Sequence, residues 1–162
     1  MPALVTNSKI WGEMFGTNEM RDIFSDETTV QLYLDVEAAL ARAQSKLGII
    51  PKKAGEIISH AANIKFIDWD TLKKRTEIVG YPILPIVEQL SKNVDDEYGQ
   101  YCHWGATTQD IMDTADVLQM KKGLNLPVNI LVGSELFYST DMAGAGNPSG
   151  WISLGARLDY GF

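Results

Sequence analysis

The residues from His103 to Ala115 combine the side chains that bind and protonate anions. They read His-Trp-Gly-Ala-Thr-Thr-Gln-Asp-Ile-Met-Asp-Thr-Ala, with an imidazole, adjacent threonine hydroxyls, an amide and carboxylates close together. A helix is predicted to begin at Thr107, and the first N–H groups of a helix have no partner within it. These groups and the positive end of the helix dipole bind carboxylates without an arginine. The pattern predicts a carboxylate-binding turn formed by Thr107, Thr108 and Gln109.

His103 is the candidate catalytic residue of this segment. An imidazole titrates near neutral pH, so it can donate a proton to a leaving group or hold a second acidic group of a substrate. Structural roles are the alternative, since a histidine beside Trp104 is also typical of a hydrogen-bonded core residue. Thr107 and Asp110 likewise have the spacing of a capping box, which requires no substrate. The other histidine, His60, lies on a predicted helix without a partner pattern, and we expect only packing or exposure for it.

Helical patterns cover the chain before this segment. Ser25 and the acids after it predict a helix start, and Gly48 with Pro51 predicts the end of that helix. Apolar residues recur between these points with the spacing of an amphipathic helix, at Tyr33, Val36, Leu40, Ala43 and Leu47. Shorter helices are predicted after Pro51, Asp68 and Pro82. The expected fold class is therefore mainly α.

The sequence changes character after Leu126. From Pro127 onward, two runs alternate apolar and polar residues, and a turn-rich stretch at 143–150 separates them. We expect a helical domain over 1–126 and a tail over 127–162 that is β-hairpin-like or disordered. An altered reading frame, an alternative exon or a fusion scar would also explain so abrupt a change.

Composition excludes several classes of partner. The 162 residues include 14 Lys and Arg against 21 Asp and Glu, giving a net charge of -7. Without a basic cluster, such a chain does not neutralise the phosphates of a nucleic acid. No run approaches the roughly 20 apolar residues of a membrane span, and the single cysteine, Cys102, excludes an intrachain disulfide. No metal-ligand or phosphate-loop spacing occurs. We expect a cytoplasmic protein without nucleic-acid partner, membrane partner, metal or cofactor.

Four stretches resemble the N-terminal domain of the fumarase/aspartase superfamily. They are residues 19–26, 33–44, 79–85 (Val-Gly-Tyr-Pro-Ile-Leu-Pro) and 103–115. The likeness runs from about Trp11 to Leu126 and is nearest to the 3-carboxy-cis,cis-muconate cycloisomerase and adenylosuccinate lyase branches. The resemblance implies a truncated superfamily N-terminal helical domain of a lyase or cycloisomerase.

The resemblance also implies roles for individual residues. In the superfamily, the counterparts of four residues line the substrate site: His103, Thr107, Thr108 and Gln109. It implies that His103 is catalytic and that the other three bind substrate, while a proton beside a carboxylate is abstracted and the group on the next carbon departs. Adenylosuccinate lyases carry a phosphate-binding Arg-Tyr pair where Met14 and Phe15 stand here. A small polycarboxylate is therefore the expected substrate, more than a nucleotide.

Two parts of the superfamily's active site do not occur in this sequence. They are the second histidine region and the mobile Gly-Ser-Ser-x-Met-Pro-x-Lys loop, both of which belong to a long helical bundle that also joins four subunits. We therefore expect a chain that is inactive alone, with other copies or full-length lyase subunits as partners. Two alternatives stay open: a truncated, non-catalytic module that binds or regulates a full-length lyase, and the product of a disrupted gene.

Overall fold

The computed structural model describes residues 8–14, 16–95 and 97–124. Within these ranges the chain forms six α-helices and no strand, so the predicted mainly α fold class is confirmed there. All of these residues belong to one unit, Met1–Asn125. The predicted tail at 127–162, with its hairpin-like pattern, lies outside the described residues. The division into two domains stays a prediction.

Six helices follow one another along the described chain. They are α1 (Asn18–Ile23), α2 (Asp26–Leu47), α3 (Lys52–Ala61), α4 (Trp69–Val79), α5 (Ile83–Asn93) and α6 (Thr108–Leu124). Short 3-10 turns lie at Gly12–Met14, Ile64–Phe66 and Gly99–Tyr101. The longest helix, α2, has 22 residues and packs against both α3 and α6. No helix in the described ranges is both long and apolar enough to cross a bilayer.

Both ends of α2 lie where the sequence predicts them. At its start, the Ser25 hydroxyl accepts a hydrogen bond of 3.2 Å from the Thr28 N–H. At its end, Gly48 adopts a left-handed φ of 72° and its N–H bonds to carbonyls of the last turn. A side chain would be strained at that φ, which is why glycine suits this position.

The buried face of α2 is wider than the predicted apolar stripe. Leu34 is fully buried and lies at the centre of a core that α3, α5 and α6 complete with Ile58, Leu90 and Ile111. Leu47, which the periodicity assigned to the buried face, is 63% exposed. Leu47 lies beyond Ser45, the last buried residue of α2. The buried face is wide and includes polar residues because α2 packs against several helices.

Close packing brings α2 and α3 together. A Cβ added at Gly55 would lie 2.3 Å from the Ser45 hydroxyl oxygen and 3.0 Å from the Ala41 carbonyl oxygen. Only glycine therefore allows this approach. Near the other end of the bundle, the buried Gln119 of α6 donates to the Ile23 carbonyl at 3.0 Å and to the Thr29 hydroxyl at 2.8 Å. These contacts fix α6 against α2, and with it the loop that precedes α6.

Candidate active site

The loop between α5 and α6 is fixed at several points and carries His103. Its first turn packs so closely on α5 that a Cβ at Gly99 would lie 2.6 Å from the Ser91 carbonyl oxygen. Further on, Gln44 of α2 donates its side-chain amide to the Trp104 carbonyl at 2.6 Å. His103 itself has a left-handed φ of 58°. That conformation costs a non-glycine residue about 1–2 kcal/mol, so tertiary contacts must hold it.

The contact that holds the His103 ring comes from α2. Its Nδ1 lies 2.5 Å from Oε1 of Glu37, a residue that is only 1% exposed. The His103 side chain itself keeps 18% exposure, and its Nε2 has no hydrogen-bond partner among the described residues. One ring nitrogen therefore faces a buried carboxylate, and the other is available to a ligand.

Electrostatics at this pair favour the imidazolium form. The hydrogen bond to Glu37 raises the pKa of His103, desolvation opposes that rise, and the charges of Glu37 and Asp110 add to it. Burial, and then the charge of Glu37, raise the pKa of the neighbouring Cys102 thiol to about 12. Cys102 is therefore a neutral thiol at physiological pH and not a nucleophile, since the nucleophile is the thiolate.

The start of α6 is a capping box, as the spacing of Thr107 and Asp110 predicts. The Thr107 N–H and hydroxyl donate to Oδ2 of Asp110 at 2.8 and 2.9 Å, and the Asp110 N–H donates back to the Thr107 hydroxyl at 3.3 Å. The first helical residue is Thr108, one position later than predicted, because Thr107 serves as the cap. Its hydroxyl is thus already engaged in capping.

Backbone donors, more than side chains, are the polar groups that the described residues leave without a partner at this helix start. The N–H groups of Thr108 and Gln109 have no acceptor among the described residues. The Gln109 side chain turns along the helix and donates to Oδ1 of Asp113 at 2.5 Å. The turn that the sequence predicts to bind a carboxylate therefore offers two unpaired N–H groups to a ligand.

Sequence reasoning missed Glu37 as a member of this site. A signal was present, because Glu37 is the one acid on the buried face of α2, between buried positions Leu34 and Ala38. A buried carboxylate needs a partner, and a helical pattern alone does not say which one. Among the described residues, no group of three or more His, Cys, Asp or Glu is placed to hold a metal ion.

Curated proteins share the N-terminal part of this chain. Trans-aconitate decarboxylase 1 of Mycosarcoma maydis is 49% identical over 126 residues, which are 78% of this chain and 26% of that protein. The 3-carboxy-cis,cis-muconate cycloisomerase of Acinetobacter baylyi is 39% identical over 127 residues, 75% of this chain and 28% of that enzyme. The chain is a partial match to the fumarate lyase superfamily. No protein-family model matches it.

Solved structures of the fumarate lyase superfamily agree. A fumarate lyase from Mesorhizobium sp. BNC1 is 51% identical, with a TM-score of 0.65 over 68% of this chain and 26% of that one. The β-carboxy-cis,cis-muconate cycloisomerase of Acinetobacter calcoaceticus is 38% identical, with a TM-score of 0.69 over 72% of this chain and 28% of that one. The family resemblance predicted from the sequence is confirmed, and the chain spans about a quarter of the curated relatives it matches.

Proposed function

We propose that this chain is the N-terminal part of a lyase or cycloisomerase that acts on a small polycarboxylate. The observation that carries the proposal is the contact of the His103 ring with Glu37, which favours the charged form of the ring, next to the unpaired N–H groups that begin α6. A cationic donor and a helix start are the groups that hold two carboxylates of one ligand. His103 is the proposed catalytic residue, and Thr108 and Gln109 are the proposed binding residues.

The proposed reaction is elimination beside a carboxylate. A base outside the described residues, on another subunit, removes the proton next to the carboxylate, and the electron pair enters that group to form an aci-carboxylate. The pair then returns and expels the group on the next carbon, which receives the proton of His103 Nε2. The N–H groups of Thr108 and Gln109 stabilise the negative charge while it lies on the carboxylate.

Thr107 enters this proposal mainly as a structural residue. The family resemblance implies that it binds substrate, but its hydroxyl is shared with Asp110 in the capping box. By holding the first turn of α6, Thr107 keeps the N–H groups of Thr108 and Gln109 in place. It contributes to substrate binding through the helix start.

A polycarboxylate fits this site better than a nucleotide. Met14 stands where adenylosuccinate lyases carry part of a phosphate-binding pair, and its side chain is 67% exposed and offers no hydrogen-bond donor. The names of two relatives agree with this choice, because one is a cycloisomerase of 3-carboxy-cis,cis-muconate and the other a decarboxylase of trans-aconitate. Adenylosuccinate lyases among the relatives argue for a nucleotide, for example that of Pyrococcus abyssi, which is 43% identical over 110 residues.

A chimera tests the proposed function. Residues 11–126 of this chain would replace the matching segment of the Acinetobacter baylyi cycloisomerase, and turnover of 3-carboxy-cis,cis-muconate would be measured. We expect a folded chimera with activity that His103→Ala removes and that His60→Ala, on the exposed part of α3, leaves unchanged. A chimera that assembles like its parent and is inactive contradicts the proposal.

A second candidate function is a non-catalytic module that binds a full-length lyase. Exposed large apolar side chains favour it, with exposed fractions of 76% at Ile10, 53% at Trp11 and 67% at Leu124. Such side chains are typical of surfaces that another protein covers. Mixing the 162-residue chain with the cycloisomerase would then change its activity or its subunit composition. No change at a large excess of the chain would remove this candidate.

A further inference from the structure

We propose that Glu37 is the positioning residue of the site: it fixes the hydrogen of His103 on Nδ1, so that Nε2 meets the substrate and His103 enters the reaction as a proton donor. The inference rests on the proposed function of His103 and adds to it the residue that determines its protonation state. Glu37 touches His103 and not the reacting atoms.

The geometry allows one arrangement of hydrogens when Glu37 is ionised. A carboxylate only accepts hydrogen bonds, so the Nδ1 atom that lies 2.5 Å from Oε1 of Glu37 must carry the hydrogen. In neutral His103, Nε2 then has a lone pair, and in the imidazolium it carries the second hydrogen. A histidine bonded to a carboxylate in this way keeps a single ring orientation.

The carboxylate of Glu37 costs stability, which argues that it has a use. Its Oε2 atom is buried and has no hydrogen-bond partner in the described structure. A buried polar atom without a hydrogen-bond partner is destabilising relative to a hydrocarbon group of the same shape. An apolar residue of similar size at this position of α2 would pack between Leu34 and Ala41 without that loss. The pairing with His103 is the contact that a hydrocarbon side chain could not supply.

The surroundings of His103 hold its ring in place and favour its charged form. The backbone is held in its left-handed conformation by a loop that Gln44 ties to α2 through the Trp104 carbonyl. The charged groups facing the ring are Glu37 on α2 and Asp110 on α6, while Cys102 in the same loop stays a neutral thiol. Both acids favour the imidazolium, which is the form in which Nε2 carries a hydrogen.

Side-chain 15N NMR of the 162-residue chain tests this arrangement directly. The two histidines report separately, and His60, which is exposed on α3, is the internal reference. We expect the pKa of His103 to lie above the ordinary value of a histidine, and its neutral form to carry the hydrogen on Nδ1. A neutral His103 with its hydrogen on Nε2 overturns the proposal, and this wild-type result needs no variant.

Glu37→Gln sharpens the test, because an amide keeps the size of the side chain but can also donate a hydrogen bond. We expect the pKa of His103 to fall and its preference for the Nδ1 hydrogen to be lost, while His60 is unchanged. Glu56→Gln, which removes an exposed acid on α3, is the matched control and should change neither the pKa nor the tautomer of His103. Circular dichroism checks that the Glu37→Gln chain is folded. If the pKa and the tautomer of His103 are unchanged in that folded chain, the role of Glu37 is contradicted.

The same spectra separate this inference from the proposed function. Trans-aconitate added to the wild-type chain should shift the Nε2 resonance of His103 and leave Nδ1 bonded to Glu37. If His103 has the predicted tautomer but the cycloisomerase chimera is inactive and the chain does not respond to trans-aconitate, Glu37 is upheld as the positioning residue and the proposed function is contradicted. If His103 responds to trans-aconitate but its neutral form carries the hydrogen on Nε2, only the positioning role of Glu37 is contradicted.

Discussion

The start of α6 and the His103–Glu37 pair are the two halves of the candidate site, and different contacts hold them. Thr107 and Asp110 bond to each other across three positions of the chain, and all three of their hydrogen bonds lie at the surface. His103 and Glu37 are 66 positions apart and meet over a buried carboxylate. The structure of the helix start therefore depends on local sequence. The position of the His103 ring depends on how α2 packs against the loop that carries it. Substitution of Thr107 should mainly change stability, and substitution of His103 should mainly change chemistry.

The largest expected effect is the loss of turnover from removing the ring. In the cycloisomerase chimera, His103→Ala should lower kcat about 10²–10⁴-fold, the range for loss of a general acid or base. Thr107→Ala in the same chimera should lower it far less, because its hydroxyl only caps α6. Steady-state assays of both variants check this difference. Equal losses would show that the two halves act as one catalytic unit.

Thr107→Ala should instead reduce stability. Removing a capping threonine costs about 1 kcal/mol in the free energy of unfolding. Urea denaturation of the wild-type chain and the variant measures that difference, and Thr107→Ser, which keeps the hydroxyl, is the matched control. The pKa of His103 should not move in either variant. A Thr107→Ala chain with wild-type stability would show that the Asp110 carboxylate caps α6 alone.

The His103–Glu37 pair predicts a dependence of stability on pH. The folded pKa of His103 is raised above its unfolded value, so the stabilisation is fully present below the unfolded pKa and is lost as pH rises through the folded one. The melting temperature of the wild-type chain should therefore fall, relative to that of His103→Gln, across this window. Parallel melting curves of the two proteins on both sides of neutral pH would contradict the pairing.

The smallest expected effect concerns Cys102. Its pKa of about 12 predicts slow alkylation by iodoacetamide at pH 8, since little thiolate is present. Glu37→Gln removes the second cause of that rise and should speed the reaction modestly, while burial still protects the thiol. Mass spectrometry of the labelled chain follows the rate. Alkylation as fast as that of a free thiol would show that Cys102 is neither buried nor near the Glu37 charge.

The difference between the two halves also explains what the sequence could predict. Caps such as Ser25 and Thr107 act within three residues, so spacing alone identified them and the starts of α2 and α6. The exposure of Leu47 was not predictable, because it depends on which helices flank α2. Glu37 was missed for the same reason: its partner lies on a distant loop, and no local pattern connects the two residues.

The most direct test of the proposed site is an amide NMR titration of the 162-residue chain with trans-aconitate. The site described here predicts that the N–H signals of Thr108 and Gln109 and the ring of His103 shift together with one dissociation constant, while His60 stays unchanged. The same titration with His103→Gln should weaken binding. Signals of Thr108, Gln109 and His103 that do not move at a large excess of trans-aconitate would contradict a carboxylate site at the start of α6.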